Sequence, residues 1–190
     1  MYLRRLIREV FAHAAWEHWV WMGILALALT GFLSIRKRVS VHAAVCLGLT
    51  LFAGLFLLDT AVLIRIGDGL THKTGFDPAY ELHYFLTGGM VRWTEMFANV
   101  VVFAPFGFFL GAFLRVTRRF GSRGRPDSMA RLDSRRRLGL VALCSLGLSL
   151  CIEALQLLLR VGVFEVTDLV LNTLGGVGGA WLAGRLRGLS

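Results

Sequence analysis

At 190 residues, 56% hydrophobic and 17% charged, with a mean hydropathy of +0.65, this chain carries more apolar surface than a domain of its length can hide from water. That excludes a soluble globular enzyme and a disordered chain, and long uncharged runs make residues 1–190 a single integral membrane domain. The net charge of +9 gathers largely in one connection, which reads as membrane orientation and not as a nucleic-acid surface, and no nucleic-acid motif accompanies it.

Residues 1–15, MYLRRLIREVFAHAA, are too charged to span. Leu3, Leu6, Ile7, Val10 and Ala14 recur at helical spacing, with Arg4, Arg5 and Arg8 on other sides. The pattern predicts an amphipathic helix lying in the membrane interface. The apolar run starts late and no small-x-small site follows it, so this is not read as a cleavable signal. His13 and His18 do not share a helix face and are interfacial residues, not metal ligands.

Span one is expected over about Trp16 to Ile35, with Trp16, Trp19 and Trp21 as an aromatic belt and Arg36, Lys37 and Arg38 as its stop. Span two runs from about Val41 to Ile66 and contains Asp59, a carboxylate that lipid would penalise unless it faces other helices or water. Residues 67–93 follow. Gly67, Gly69 and Asp77-Pro78 break the periodicity, and Ala79 to Leu86 fits a short helix or a re-entrant segment ended by Gly88-Gly89.

Span three is expected over about Thr94 to Val116. Glu95, Asn99 and Phe103 lie on one face, Pro105 removes a backbone hydrogen bond and should kink the helix, and Gly107 leaves room beside it. The connection Thr117 to Arg137 holds Arg118, Arg119, Arg123, Arg125, Arg131, Arg135, Arg136 and Arg137, opposed only by Asp127 and Asp133. It reads as a solvated loop that sets topology and touches anionic headgroups.

Span four is expected over about Leu138 to Leu159 and span five over about Asp168 to Leu186. On span four, Glu153, Gln156 and Arg160 recur at helical spacing, a polar stripe on an apolar helix. On span five, Asp168 and Asn172 are followed along nearly the same side by Gly175, Gly176 and Gly179. Small residues let another helix approach closely, and polar groups in lipid must face protein or water, so the two stripes are expected to face each other or a shared third helix. Cys46, Cys144 and Cys151 all fall in predicted spans and read as small packing residues, not as a disulfide framework. No spaced Cys/His set and no Gly-rich phosphate loop occurs, so neither a metal nor a cofactor is expected.

These two stretches also carry a resemblance. Glu153-x-x-Gln156, Arg160 and Asp168-x-x-x-Asn172-x-x-Gly175-Gly176-x-x-Gly179, preceded by Asn99-x-x-x-Phe103-x-Pro105-x-Gly107, resemble the VanZ-like membrane proteins. The motif-bearing part is residues 95–181. Where that family often has an Asn-Leu-Ile-Pro-Phe type segment, this chain has Glu81-Leu-His83-Tyr84-Phe. The family's namesake is associated with low-level teicoplanin resistance, so the resemblance implies a bacterial cell-envelope protein and leaves the chemistry open.

Basic residues cluster after spans one, three and five. The positive-inside rule places Arg36–Arg38, the arginine-rich connection and the C-terminus in the cytoplasm of an inner-membrane protein, and the N-terminus outside, against the pull of Arg4, Arg5 and Arg8. At about 1.5 Å per residue, Asp59, Asn99, Glu153 and Asn172 then lie within about 10 Å of the outer side. Four polar groups at one depth predict either an outward-facing polar cavity or a purely structural hydrogen-bonded network. The cavity would bind a lipid-linked or envelope-precursor ligand, with Arg160 holding a phosphate or carboxylate. Two other classes stay open. One is a membrane enzyme on a lipid-linked substrate with Glu153 or Asp168 as acid or base; the other is a non-catalytic accessory subunit that offers a groove to another membrane protein.

Overall fold

A backbone that crosses lipid must satisfy its own polar groups, so uncharged runs of this length can only be helices. The computed structural model describes residues 16–37, 40–63, 83, 86–119, 127–162 and 164–186, and these form an all-α bundle. The helices are α1 (Trp16–Lys37), α2 (Val41–Leu58), α3 (Gly89–Arg119), α4 (Asp127–Leu158) and α5 (Val166–Arg185). The predicted interfacial helix at residues 1–15 lies outside the described residues, as does nearly all of 67–82, where a short helix or re-entrant segment is expected.

Among the described residues, three stretches are long and apolar enough to cross a membrane: Val41–Val62, Gly89–Thr117 and Ser134–Leu158; Trp19–Ile35 is a shorter apolar helix. The fifth, α5, stands apart in composition, because Asp168, Asn172 and its glycines dilute it, and its glycine face is covered by α3 and α4. Trp21, Leu27, Phe32, Leu143 and Leu158 are exposed, as suits side chains that meet acyl chains.

One expectation is corrected. The arginine-rich connection is mostly not a loop: α3 continues to Arg119 and α4 begins at Asp127, so Arg118, Arg119, Arg131, Arg135, Arg136 and Arg137 belong to helices. A charged segment is as good a helix former as an apolar one once it has left the lipid, and arginine ranks among the better residues. Hydropathy marks where a helix leaves the membrane, not where it ends.

Two local devices shape α2. Ser40 caps its start, with the hydroxyl accepting from Ala43 N at 3.4 Å. At its far end the helix widens into a π-helical turn, Asp59–Leu63. There the Thr60 hydroxyl donates to the carbonyls of Phe56 at 2.8 Å and Leu57 at 3.3 Å, competing with the backbone ladder.

The helices pack in the order α1, α2, α3, α5, α4. Trp19 meets Phe56 edge-on at 5.6 Å between centroids, holding α1 antiparallel to α2. Leu57, Val62, Phe103, Phe106 and Ile152 join α2, the π turn, α3 and α4 in one buried cluster. α3 and α5 run parallel and touch backbone to backbone: a methyl on Gly107 would overlap the Gly176 carbonyl, one on Gly175 the Val100 carbonyl, and one on Gly179 the Ala104 carbonyl. With Gly111 against Ala180, this is small-xxx-small packing on both partners. Gly107 thus serves approach to α5, while the exposed Pro105 sits inside a continuous α3.

The arginine-bearing end has its own cap. Arg115 of α3 donates to the carbonyls of Ala183, Gly184 and Leu186 at 3.1, 3.4 and 3.2 Å, closing the C-terminus of α5 where carbonyls would otherwise lack partners.

Candidate functional site

The opposite end of the bundle brings together the π turn, the start of α3, the end of α4 and the start of α5. Between them lies a cavity of ≈ 180 Å³. Its floor is apolar, from Leu57, Ala61, Val102, Phe103 and Ile152; its walls carry Thr60, Asn99, Glu153, Gln156, Asp168 and Asn172.

Each wall residue is fixed from the protein side. Asn99 donates through Nδ2 to Asp168 Oδ1 at 2.7 Å, tying α3 to the first turn of α5. Gln156 donates through Nε2 to the Ala61 carbonyl at 2.8 Å, tying α4 to the π turn. The Glu153 carboxylate accepts from the backbone N–H of Glu165, the N-cap residue of α5, at 3.0 Å. Glu165 makes no side-chain cap of its own, so a carboxylate from α4 stands at the positive end of α5 in its place. Asn172 donates to Ser149 Oγ at 2.8 Å. Its Oδ1 is buried and has no hydrogen-bond partner among the described residues.

Beside the cavity, Arg92 on α3 is 3% exposed. It donates to Glu165 Oε2 at 2.8 Å and lies 3.9 Å from Glu95 Oε2. Of the residues expected from the sequence, Asn99, Glu153, Gln156, Asp168 and Asn172 therefore meet at one place. Asp59 is 2% exposed and begins the π turn next to the lining residue Thr60 without lining the cavity. Glu95 is partly exposed and belongs with Arg92.

Arg160 is the correction. It does not continue the stripe of Glu153 and Gln156, because α4 ends at Leu158 and Arg160 has φ 57, in the left-handed region. Arg160 N donates to Leu157 O at 3.3 Å and Val161 N to Gln156 O at 2.9 Å, the paired bonds of a Schellman termination with Arg160 where glycine is usual. Its side chain is exposed and outside the cavity. Arg160→Gly should therefore raise stability by about 0.5–1 kcal/mol, since glycine carries no penalty for this conformation. A higher melting temperature in detergent is the check; a fall would give the side chain a role in the fold.

Sequence reasoning missed Arg92, Glu165, Thr60 and Ser149. A signal existed for two of them. Arg92 precedes Glu95 and Asn99 on their own face, and Ser149 sits one turn before Glu153 on the stripe of α4. Glu165 lay in a turn and had no periodicity to declare it. The three cysteines are free, and Cys144 and Cys151 face outward on α4. Among the described residues, no three His, Cys, Asp or Glu side chains are grouped to hold a metal ion.

A family model described as VanZ/LLP1 matches residues 19–187. No curated protein and no solved structure matches the chain.

Proposed function

The chain belongs to the VanZ-like family of membrane proteins over residues 19–187, and from that premise we propose that it binds a polar ligand of the bacterial cell envelope in the cavity between α2, α3, α4 and α5. The observation that carries this reading is convergence. Six polar side chains from four segments, far apart in sequence, line one cavity at one end of a bundle whose membrane-spanning sides expose large apolar side chains. A charged side chain at the bilayer centre costs about 3 kcal/mol on insertion scales, and polar groups in a span are retained where they meet protein, water or a ligand. Buried Asn172 Oδ1, a strong acceptor left for an incoming donor, favours a ligand over a closed structural network.

The ligand would be the head group of a lipid or a lipid-linked envelope precursor, entering from the leaflet at that end. A link to glycopeptide response, including teicoplanin, follows if that precursor is one the antibiotic also engages. Catalysis by Glu153 or Asp168 is the weaker reading, because each carboxylate already accepts a hydrogen bond that fixes the fold.

Glu153→Gln tests the proposal. The amide oxygen can still accept from Glu165 N–H, so expression and melting temperature should stay near wild type. A deletion strain carrying the variant should nevertheless lose whatever envelope phenotype the wild-type gene restores. Full complementation by a folded variant would remove ligand binding through this charge.

The same proposal sets the orientation. The basic end bears Arg115, Arg135, Arg136, Arg137 and Arg185, and the positive-inside rule puts it in the cytoplasm of the inner membrane, with the cavity opening outward. In a cysteine-free background, a cysteine at Thr71 should react with an impermeant thiol reagent in intact cells, and cysteines at Ser122 and Ser128 should not. The reverse labelling would invert the topology.

A further inference from the structure

We propose that this cavity selects a ligand that donates hydrogen bonds and carries positive charge, a primary ammonium group, and that it rejects phosphate and carboxylate; the inference rests on reading the cavity as a ligand site. The argument starts from where the amide nitrogens go. Asn99 Nδ2 is committed to Asp168 Oδ1 at 2.7 Å and Gln156 Nε2 to the Ala61 carbonyl at 2.8 Å. A carboxylate and a carbonyl oxygen only accept, so the partners dictate which end of each amide turns into the protein. Each bond commits one N–H to the protein and sets the amide oxygen on the other side of its group. Asn172 donates through Nδ2 to Ser149 Oγ; the residue is 6% exposed and its Oδ1 meets no donor among the described residues. The polar wall thus offers amide oxygens beside the carboxylates of Glu153 and Asp168. A buried acceptor that has lost water is relieved only by a donor.

The positive charge near the cavity is offset by carboxylates. Arg92 is bound to Glu165 at 2.8 Å with Glu95 at 3.9 Å. The N-terminus of α5, which would otherwise be a natural anion site, has the Glu153 carboxylate on the N–H of Glu165. Arg160 is exposed on its turn and does not line the cavity. An anion entering here would meet two carboxylates and no cation in the lining, whereas an ammonium would meet those carboxylates and the Asn172 Oδ1 acceptor. Size favours an organic cation over a bare metal ion: ≈ 180 Å³ has room for several water-sized groups, each about 30 Å³.

A primary ammonium could arrive on an aminoalkyl lipid head group or as a soluble amine, and the test separates them. The full-length protein in detergent would be titrated calorimetrically with short-chain phosphatidylethanolamine, its choline and glycerol counterparts, free ethanolamine and inorganic phosphate. The ethanolamine lipid should bind at least tenfold more tightly than the choline lipid, which has no N–H, and than the glycerol lipid, which has no cation. Equal binding of free ethanolamine would assign a soluble amine; binding of the lipid alone would assign a head group. Asp168→Asn should weaken binding at least tenfold at an unchanged melting temperature, because the new amide oxygen still accepts from Asn99. Ala61→Met, which narrows the cavity without altering charge, should also weaken it, and guards against a fold effect at Asp168. Tighter binding of the glycerol lipid or phosphate, lost in Ala61→Met, would overturn the ammonium assignment and leave the cavity as a site. No binding of any probe, or binding indifferent to Ala61→Met, would overturn both.

Discussion

Gly179→Leu should abolish recovery of folded protein from detergent, while Gly178→Leu, one residue earlier, should leave the yield at wild-type level. The contrast is set by what each Cβ would meet. At Gly179 it would overlap the Ala104 carbonyl and come within 2.8 Å of Phe108 N, both backbone atoms of α3 that cannot rotate aside. At Gly178 nothing lies within 4 Å, and the position is exposed. Overpacking a core costs about 1–3 kcal/mol when side chains can yield, and more is expected where two helix backbones must separate. At Gly178 the exchange should instead gain about 0.8 kcal/mol in helix propensity. Because α5 carries Asp168 and Asn172, parting it from α3 would also undo the Asn99–Asp168 bond and empty the site of its geometry. Size-exclusion profiles and melting temperatures of the pair check this, and equal profiles would mean that the glycines do not set the approach.

Arg92→Met should destabilise the protein by about 2–3 kcal/mol, and adding Glu165→Gln should recover part of that loss. Removing one member of a buried pair leaves the other charge without its partner, at about 3–5 kcal/mol when both are fully buried. Here the Arg92 side chain is 4% exposed and that of Glu165 24%, so solvent screens the remaining carboxylate and the lower figure applies. Replacing Glu165 by the neutral amide removes the stranded charge, which is why the double variant should melt higher than Arg92→Met alone. The pair joins α3 to the N-cap residue of α5, and Glu165 N–H is also what holds Glu153, so the loss should be felt in the cavity as well. Melting temperatures of the two singles and the double provide the cycle. A wild-type value for Arg92→Met would show that the buried guanidinium is not needed.

Membrane class and the depth of the polar layer were legible in the chain, because both are sums over local residues. Hydropathy adds along a run, and a helix of fixed rise turns residue number into height, so Asp59, Asn99, Glu153 and Asn172 could be placed at one level before any contact was known. The glycines of α5 and Gly107 of α3 were likewise legible as small surfaces. What the residues could not disclose is where each helix stops and which atom of each polar group is engaged. Arg160 shared the spacing of Glu153 and Gln156, yet a helix face ends with the helix. One residue at φ 57, an arginine where glycine is usual, turned its side chain out of the site. Arg92 supplies the buried cation instead, through Glu165, 73 residues away. The direction of each amide was decided at similar range, for Asn99 by Asp168, 69 residues away, and for Gln156 by Ala61, 95 residues away. An asparagine offers a donor and an acceptor with equal ease, so its sequence position is neutral on the matter. Only a partner that can do nothing but accept makes the choice, and that partner is brought there by the packing of one helix on another.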